Sequence, residues 1–349
     1  MHIEITPARI ASLAQPESSL RDDIVHLLQA LVPGWAQETA ISISQLHGGQ
    51  SNTMFACSIA TSTVILRVYG HGLDAFMHRD EELFIYRALS QQHLGLGLVG
   101  TFENGRIETF IAGRPLTATD LRVPAIFTKV ARRFRVFHGV DLAIDRAPRL
   151  LDTIDEWLRL AQSVVTPALV DFDAWALGWT RLKDLLRSVP SPIVFCHNDL
   201  NCSNIMLSSK TDDVVFIDFE YSHYNPRGFD IGNHFTEWCY FMHGPPDEVG
   251  DVAMYPSEAD QRAFCAAYLE SADDMAIEAL RLEANVYALA SHLYWATWAI
   301  VQSPKSSPAF DYFAYGVGRW HLFQAQETRC MRLCVPPSRR PNRRRCYKL

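Results

Sequence analysis

The stretch Val194-Phe-Cys-His197-Asn198-Asp199-Leu-Asn-Cys-Ser-Asn204-Ile-Met206, followed by Val214-Val-Phe-Ile-Asp218-Phe-Glu220, decides how the rest of the chain is read. Apolar runs of strand length flank a polar turn that holds Asp199 and Asn204, and the second run ends on Asp218. Asn and Asp are ordinary turn residues, so any one of the three needs no further explanation. Together they suit phosphoryl transfer, in which a carboxylate orients the attacking hydroxyl and oxygen ligands hold magnesium. Asp199 fits the first task. Asn204 and Asp218 fit the second, because magnesium is a hard ion that takes oxygen.

Upstream, β-like runs over 41–46, 53–60 and 63–69 precede a helical pattern over 78–91 and a strand-like pair over 99–102 and 106–111. The loop His47-Gly48-Gly49-Gln50-Ser51-Asn52 reads as a hairpin whose backbone N–H groups suit phosphates. Two glycines in a turn are also commonplace. Arg67 closes the third run, where protein kinases keep a lysine, and its planar fork fits phosphate oxygens. Glu82 on the next helix is its expected partner. The plainer alternatives are an edge-strand arginine and a helix start with acids at the positive end of the dipole.

After Gly113-Arg114-Pro115 the pattern turns helical, over about 125–138, 151–163, 173–188, 258–271, 276–302 and 309–327. The chain of 349 residues fits two closely joined lobes and shows no internal repeat. The expected division is a nucleotide-binding lobe over 1–111, a catalytic and acceptor-binding lobe over 112–328, and a basic, disordered tail over 329–349. The fold class expected is α+β: a small β-rich N-terminal lobe and a larger, mainly helical C-terminal lobe in a bilobal, protein-kinase-like arrangement.

Eight cysteines are too few for a disulfide scaffold, which suits a reduced, cytoplasmic protein. No apolar run reaches the length of a bilayer span, and the longest, over 286–301, reads as a core helix. Net charge is −7, yet the last stretch from Arg329 carries eight basic residues and no acidic ones. The acidic remainder disfavours nucleic acid as a ligand and mildly favours cations. For the tail, a weak contact with anionic lipid and a purely solubilising role both stay open.

Longer motifs carry a family resemblance. The run Ile217-Asp-Phe-Glu-Tyr221 through Asp230-Ile-Gly-Asn-His-Phe-Thr-Glu237-Trp238 closely resembles the choline/ethanolamine kinase family. So do His197-Asn198-Asp199, the Gly48–Asn52 loop, and Ala290-Ser-His-Leu-Tyr-Trp295-Ala-Thr-Trp298. The resemblance spans about 47–327 and implies transfer of the ATP γ-phosphate, with Mg2+, to a small amino alcohol. It implies Asp199 as base, Asn204 and Asp218 at magnesium, and Arg67 on the phosphates, beside the roles read above for Gly48, Gly49, Ser51 and Asn52 at the phosphates and for Glu82 as the partner of Arg67. It also implies a connecting segment, Glu108-Thr109-Phe110-Ile111, that reads adenine through backbone groups, and Asp230 as structural support for the catalytic loop. Glu220 stands where a protein-kinase metal motif has Gly, and no Ala-Pro-Glu follows, so a protein substrate is not expected.

Trp295 and Trp298 share one helix face, and Tyr221 lies close behind Asp218. Aromatics at helical spacing are ordinarily core. The family analogy instead sets Tyr221, Trp295, Trp298, Phe310 and Tyr315 around the ammonium head, with Glu237 supplying a full negative charge. Family choline kinases carry a tyrosine five residues beyond that Glu, and here the position is Met242. The stretch Leu66–Gly70 with Arg79–Glu82 resembles the ethanolamine branch, whereas Glu237–Tyr240 resembles the choline branch. The reading leans to ethanolamine, with choline as a second substrate. Kinases of the same fold acting on an aminoglycoside or sugar, and a pseudokinase, are the alternatives. A homodimer stays open.

Overall fold

The computed structural model describes residues 5–6, 9–10, 19–46, 52–70, 79–166, 168–240, 249–306 and 310–334. The chain forms two compact units: Met1–Arg114 with Met206–Glu220, and Pro115–Ile205 with Tyr221–Leu349. The first unit therefore takes in a later stretch, carrying Asp218, that a cut between 111 and 112 does not include.

In the first unit, β1 (Ser42–Leu46), β2 (Asn52–Ser58), β3 (Thr63–Tyr69), β4 (Leu98–Phe102) and β5 (Gly105–Thr109) make an antiparallel sheet in the order β1-β2-β3-β5-β4. Strand periodicity sends alternate side chains to opposite faces. Val64, Leu66 and Val68 of β3 join Phe55, Cys57 and Ile107 against Leu20, Ile24, Leu27 and Leu28 of α1 (Ser19–Leu31). Each such side chain, fully buried, contributes about 1.5–3 kcal/mol. Arg67, Arg106 and Glu108 occupy the alternate positions, and α2 (Arg79–Gln91) buries Glu82, Ile85, Tyr86 and Leu89. One face of the sheet is thus apolar; the other carries buried charge.

Short strands follow: β6 (Gly113–Pro115), β7 (Ile193–Cys196), β8 (Ile205–Ser208), β9 (Val214–Phe216) and β10 (His223–Pro226). They pair as β6-β8-β9 and as β7-β10. The second unit is built from α3 (Pro124–His138), α4 (Leu150–Val164), α5 (Phe172–Ser188), α6 (Arg227–Glu237), α7 (Glu258–Leu269), α8 (Asp274–Gln302) and α9 (Tyr312–Cys334). Asp171, Ser257 and Asp273 cap α5, α7 and α8 by accepting from backbone N–H groups of the first turn. Helix α8 is buried on all sides between Ala284 and Thr297, so the apolar run read from the sequence is a core helix. No described helix is long and apolar enough to cross a membrane. Cys57, Cys196, Cys202, Cys239, Cys265 and Cys330 are free and buried.

Helix α6 was not anticipated, and the reason is physical. It contains Gly228, Gly232 and Asn233, all poor helix formers, and is buried almost throughout, so it shows no amphipathic stripe. Its glycines are needed for close approach. A Cβ at Gly232 would lie 2.5 Å from the Ala284 carbonyl oxygen and 2.6 Å from the Ala288 nitrogen of α8. Helix α9 runs past its expected end at 327, to Cys334. The rest of the basic tail lies outside the described residues.

Candidate active site

Asp230 anchors the turn after β7. Its Oδ1 accepts the backbone N–H of Asn198 at 2.8 Å, and its Oδ2 accepts that of His197 at 2.6 Å and lies 3.1 Å from His138 Nε2. Asp230, His138 and Cys196 form a close buried cluster of metal-type groups, but these bonds already occupy the Asp230 oxygens. Asn198 adopts a left-handed φ of 67°, a conformation that Asn tolerates better than most residues. Its amide nitrogen donates to the Tyr221 carbonyl at 2.8 Å, tying this turn to the segment that carries Tyr221.

Half-buried Asp199 follows directly. Asn201 Nδ2 donates to its Oδ1 at 3.3 Å, and Asn204 Nδ2 donates to its Oδ2 at 3.0 Å and to its carbonyl at 2.8 Å. Asn201 also caps the short 3-10 turn Cys202–Asn204, accepting from the backbone of Ser203 and Asn204. Both of these bonds use the nitrogen of the Asn204 amide, which leaves its Oδ1 out of them. Burial pushes the Cys202 thiol up to about 12, so it stays a neutral filler beside this turn.

In the first unit, Asp218 also takes a left-handed φ, 66°. Strain of this kind in a non-glycine residue is held by its surroundings and gathers at functional positions. Arg67 Nη1 lies 3.4 Å from its Oδ1. Arg67 and Arg106 stand directly opposite each other on β3 and β5, an arrangement that repels unless a carboxylate intervenes. Glu108 Oε1 does so, accepting Arg67 Nε at 2.9 Å and Arg106 Nε at 2.7 Å. Burial alone would lower the Arg67 pKa, but Glu108 and Asp218 more than reverse this, so the guanidinium remains charged.

The partner expected for Arg67 is therefore supplied differently. Glu82 receives Arg106 Nη1 at 2.7 Å and Arg79 Nη1 at 3.3 Å, while Arg67 is held by Glu108. The adenine-reading segment also needs correction. The Thr109 N–H donates to the Gly97 carbonyl at 2.8 Å, and Glu108 lies within β5 between β3 and β4. Backbone free of the sheet begins only at 110, before Ile111. Burial, with Asp218 and Glu82 nearby, pushes the Glu220 carboxyl up to about 8, and its buried Oε2 has no hydrogen-bond partner. A cation would satisfy that oxygen. Of the glycine-rich loop, Asn52 opens β2, whereas Gly48, Gly49 and Ser51 lie outside the described residues, as does Met242.

The second unit brings the expected acceptor aromatics together. Ring centroids lie 5.3 Å apart for Tyr221–Trp295 and for Trp295–Trp298, and 5.5 Å for Trp298–Tyr312. The series continues through Tyr312–Phe310 at 4.9 Å, Phe310–Tyr315 at 5.5 Å and Tyr315–Tyr240 at 5.3 Å. Asn233 Oδ1 accepts the Trp295 indole N–H at 2.7 Å, which fixes that ring. Glu237, expected to supply a full negative charge to the acceptor, carries an ion pair of its own. The fully buried Arg319 donates to it and to the Tyr315 hydroxyl, at 2.7 Å and 2.9 Å for the latter.

Sequence reasoning missed Arg106, Asn201, Asn233, Tyr240, Tyr312 and Arg319. Tyr312 and Arg319 had a local signal, since three- and four-residue spacings from Tyr315 bring side chains together on a helix. The other four act through contacts between distant strands and helices or through a turn.

The sequence model of the family described as choline/ethanolamine kinase matches residues 43–324. A choline/ethanolamine kinase of Rattus norvegicus is 33% identical over 322 residues, covering 84% of this chain and 82% of that one. A probable ethanolamine kinase of Arabidopsis thaliana is 32% identical, covering 87% and 85%. Among solved structures, a choline kinase from Cryptosporidium parvum Iowa II aligns with a TM-score of 0.79 at 24% identity, over 89% of this chain and 96% of that one. That likeness shows the fold, the α+β protein-kinase-like one expected from the sequence.

Proposed function

We propose, from the premise that the chain belongs to the choline/ethanolamine kinase family, a role for each residue in its phosphorylation of ethanolamine and choline. Asp199, steadied by Asn201 and Asn204, orients the acceptor hydroxyl and takes its proton. As the acceptor oxygen bonds to the γ-phosphorus of ATP, the bond to the bridging oxygen breaks and ADP leaves. Arg67 faces the phosphates as a fixed charge, with Asn52 and the 48–51 loop around them, and the chain after β5 up to Ile111 lies against adenine. Asn204 through its Oδ1 and Asp218 through its carboxylate would hold Mg2+; the donor set is all oxygen, and the orphaned Glu220 oxygen supports a cation nearby. When bound, the ion neutralises phosphate charge.

The run of ring contacts from Tyr221 to Tyr315 carries the acceptor assignment. Ring faces attract an ammonium by about 2 kcal/mol each when desolvated, and they do not require N–H donors. With Glu237 held by Arg319, choline is expected to serve at least as well as ethanolamine, in place of the lean to ethanolamine. Replacing Trp295 and Trp298 together by Ala tests this. The acceptor KM is expected to rise at least about tenfold with the ATP KM unchanged, and an unaltered acceptor KM would remove the rings from the site.

A further inference from the structure

Arg319 is a full positive charge set into the wall that receives a cation, and the reaction gives it no task. A cation there repels the acceptor and occupies ring faces the acceptor could use. Its guanidinium carbon lies 4.5 Å from the Tyr240 ring centroid and 5.1 Å from that of Tyr315. Its Nη1 donates to Thr236 Oγ1 at 2.9 Å, while its remaining bonds go to Glu237 and the Tyr315 hydroxyl. Service to stability alone is a weak account, because a buried ion pair is often replaceable by apolar side chains at no loss. What distinguishes this pair is which groups it engages: the carboxylate and the phenol oxygen beside the aromatic wall.

Those two groups are the ones by which a primary ammonium could be told from a quaternary one. A primary ammonium brings three N–H donors and gains from such acceptors; a trimethylated nitrogen has none to offer. We propose that Arg319 is a specificity-determining positioning residue: it withdraws Glu237 and the Tyr315 hydroxyl from the acceptor, so that primary and quaternary amino alcohols are both held by ring faces, on similar terms. This inference rests on the acceptor reading above.

The test compares kcat/KM for ethanolamine and for choline, with the ATP KM as control, in Arg319→Met, Arg319→Lys, Glu237→Gln and the Arg319→Met/Glu237→Gln pair. Arg319→Met, which frees the carboxylate, is expected to raise the ethanolamine-to-choline ratio at least fivefold while leaving the ATP KM within twofold. Adding Glu237→Gln returns the ratio to within twofold of the parent, and Arg319→Lys, which keeps the charge, does not move it. A parent-like ratio in Arg319→Met overturns the inference. Should that variant not fold, Glu237→Gln alone decides. With its carboxylate already withdrawn, its ratio is expected to stay within twofold of the parent, whereas a tenfold loss confined to ethanolamine shows Glu237 serving N–H donors directly and overturns the inference. A parent enzyme inactive on both alcohols would instead sink the acceptor reading itself, and this inference with it.

Discussion

Both units bury arginines, and they spend them differently. In the first, Arg67 and Arg106 share Glu108, and Arg106 also reaches Glu82, so charge is met by charge within one sheet and its helix. In the second, Arg319 meets a single carboxylate and otherwise lies against hydroxyls and ring faces. On the proposed roles, the first arrangement keeps a cation fixed for a multiply charged anion. On the same proposed roles, the second sets ring faces around a monovalent cation, with its buried arginine paired to Glu237.

The sharpest way to break this comparison is to empty the first network. Arg106→Leu leaves Glu108 and Glu82 buried without their shared cation, and stability is expected to fall by about 3–5 kcal/mol in urea unfolding. A loss below about 1 kcal/mol would mean that the charges are already compensated without it.

A neutral group in the second unit gives the next largest effect. His234 donates through its Nδ1–H to the Leu200 carbonyl, 3.0 Å away, and burial holds its pKa down to about 4. Since the unfolded chain binds that proton near pH 6.5, its stabilising contribution is complete above 6.5 and is lost as pH falls towards 4. The shift corresponds to about 3 kcal/mol. Unfolding free energies measured from pH 7 to 4 are expected to fall less steeply in His234→Gln, by up to that amount. Parallel curves would show the imidazole to be more solvated than its burial implies.

The catalytic turn sharpens the comparison further, because its effect falls on rate alone. Asp199→Asn is expected to lower kcat at least about a hundredfold with ATP binding nearly intact, the scale of a lost general base. Near-normal turnover in single-turnover assays would take Asp199 out of the mechanism.

How far the sequence could be read follows the same division. Strands, the core helix α8 and the Asp199–Asn204–Asp218 series were legible because each leaves a local trace: period two, an unbroken apolar run, or polar residues at a strand's end. Helix α6 was not, since its identity depends on glycines admitting a neighbouring backbone. The partners of Glu82, Glu108 and Glu237 were hidden for a related reason. Glu82 and Glu237 each pair with an arginine on a distant element, Arg106 and Arg319, and sequence spacing holds no trace of which carboxylate a buried guanidinium will choose. Arg106 sits two residues from Glu108 on one strand face, a spacing that shows proximity but not that Arg67 shares the same oxygen.

The central claim is tested most directly by ADP release from the purified protein with ATP and magnesium, measured with ethanolamine, with choline and without acceptor. The account predicts magnesium-dependent release stimulated by both alcohols, with one phosphoryl group appearing on the alcohol for each ADP formed. Release no greater than the acceptor-free blank with either alcohol would contradict it.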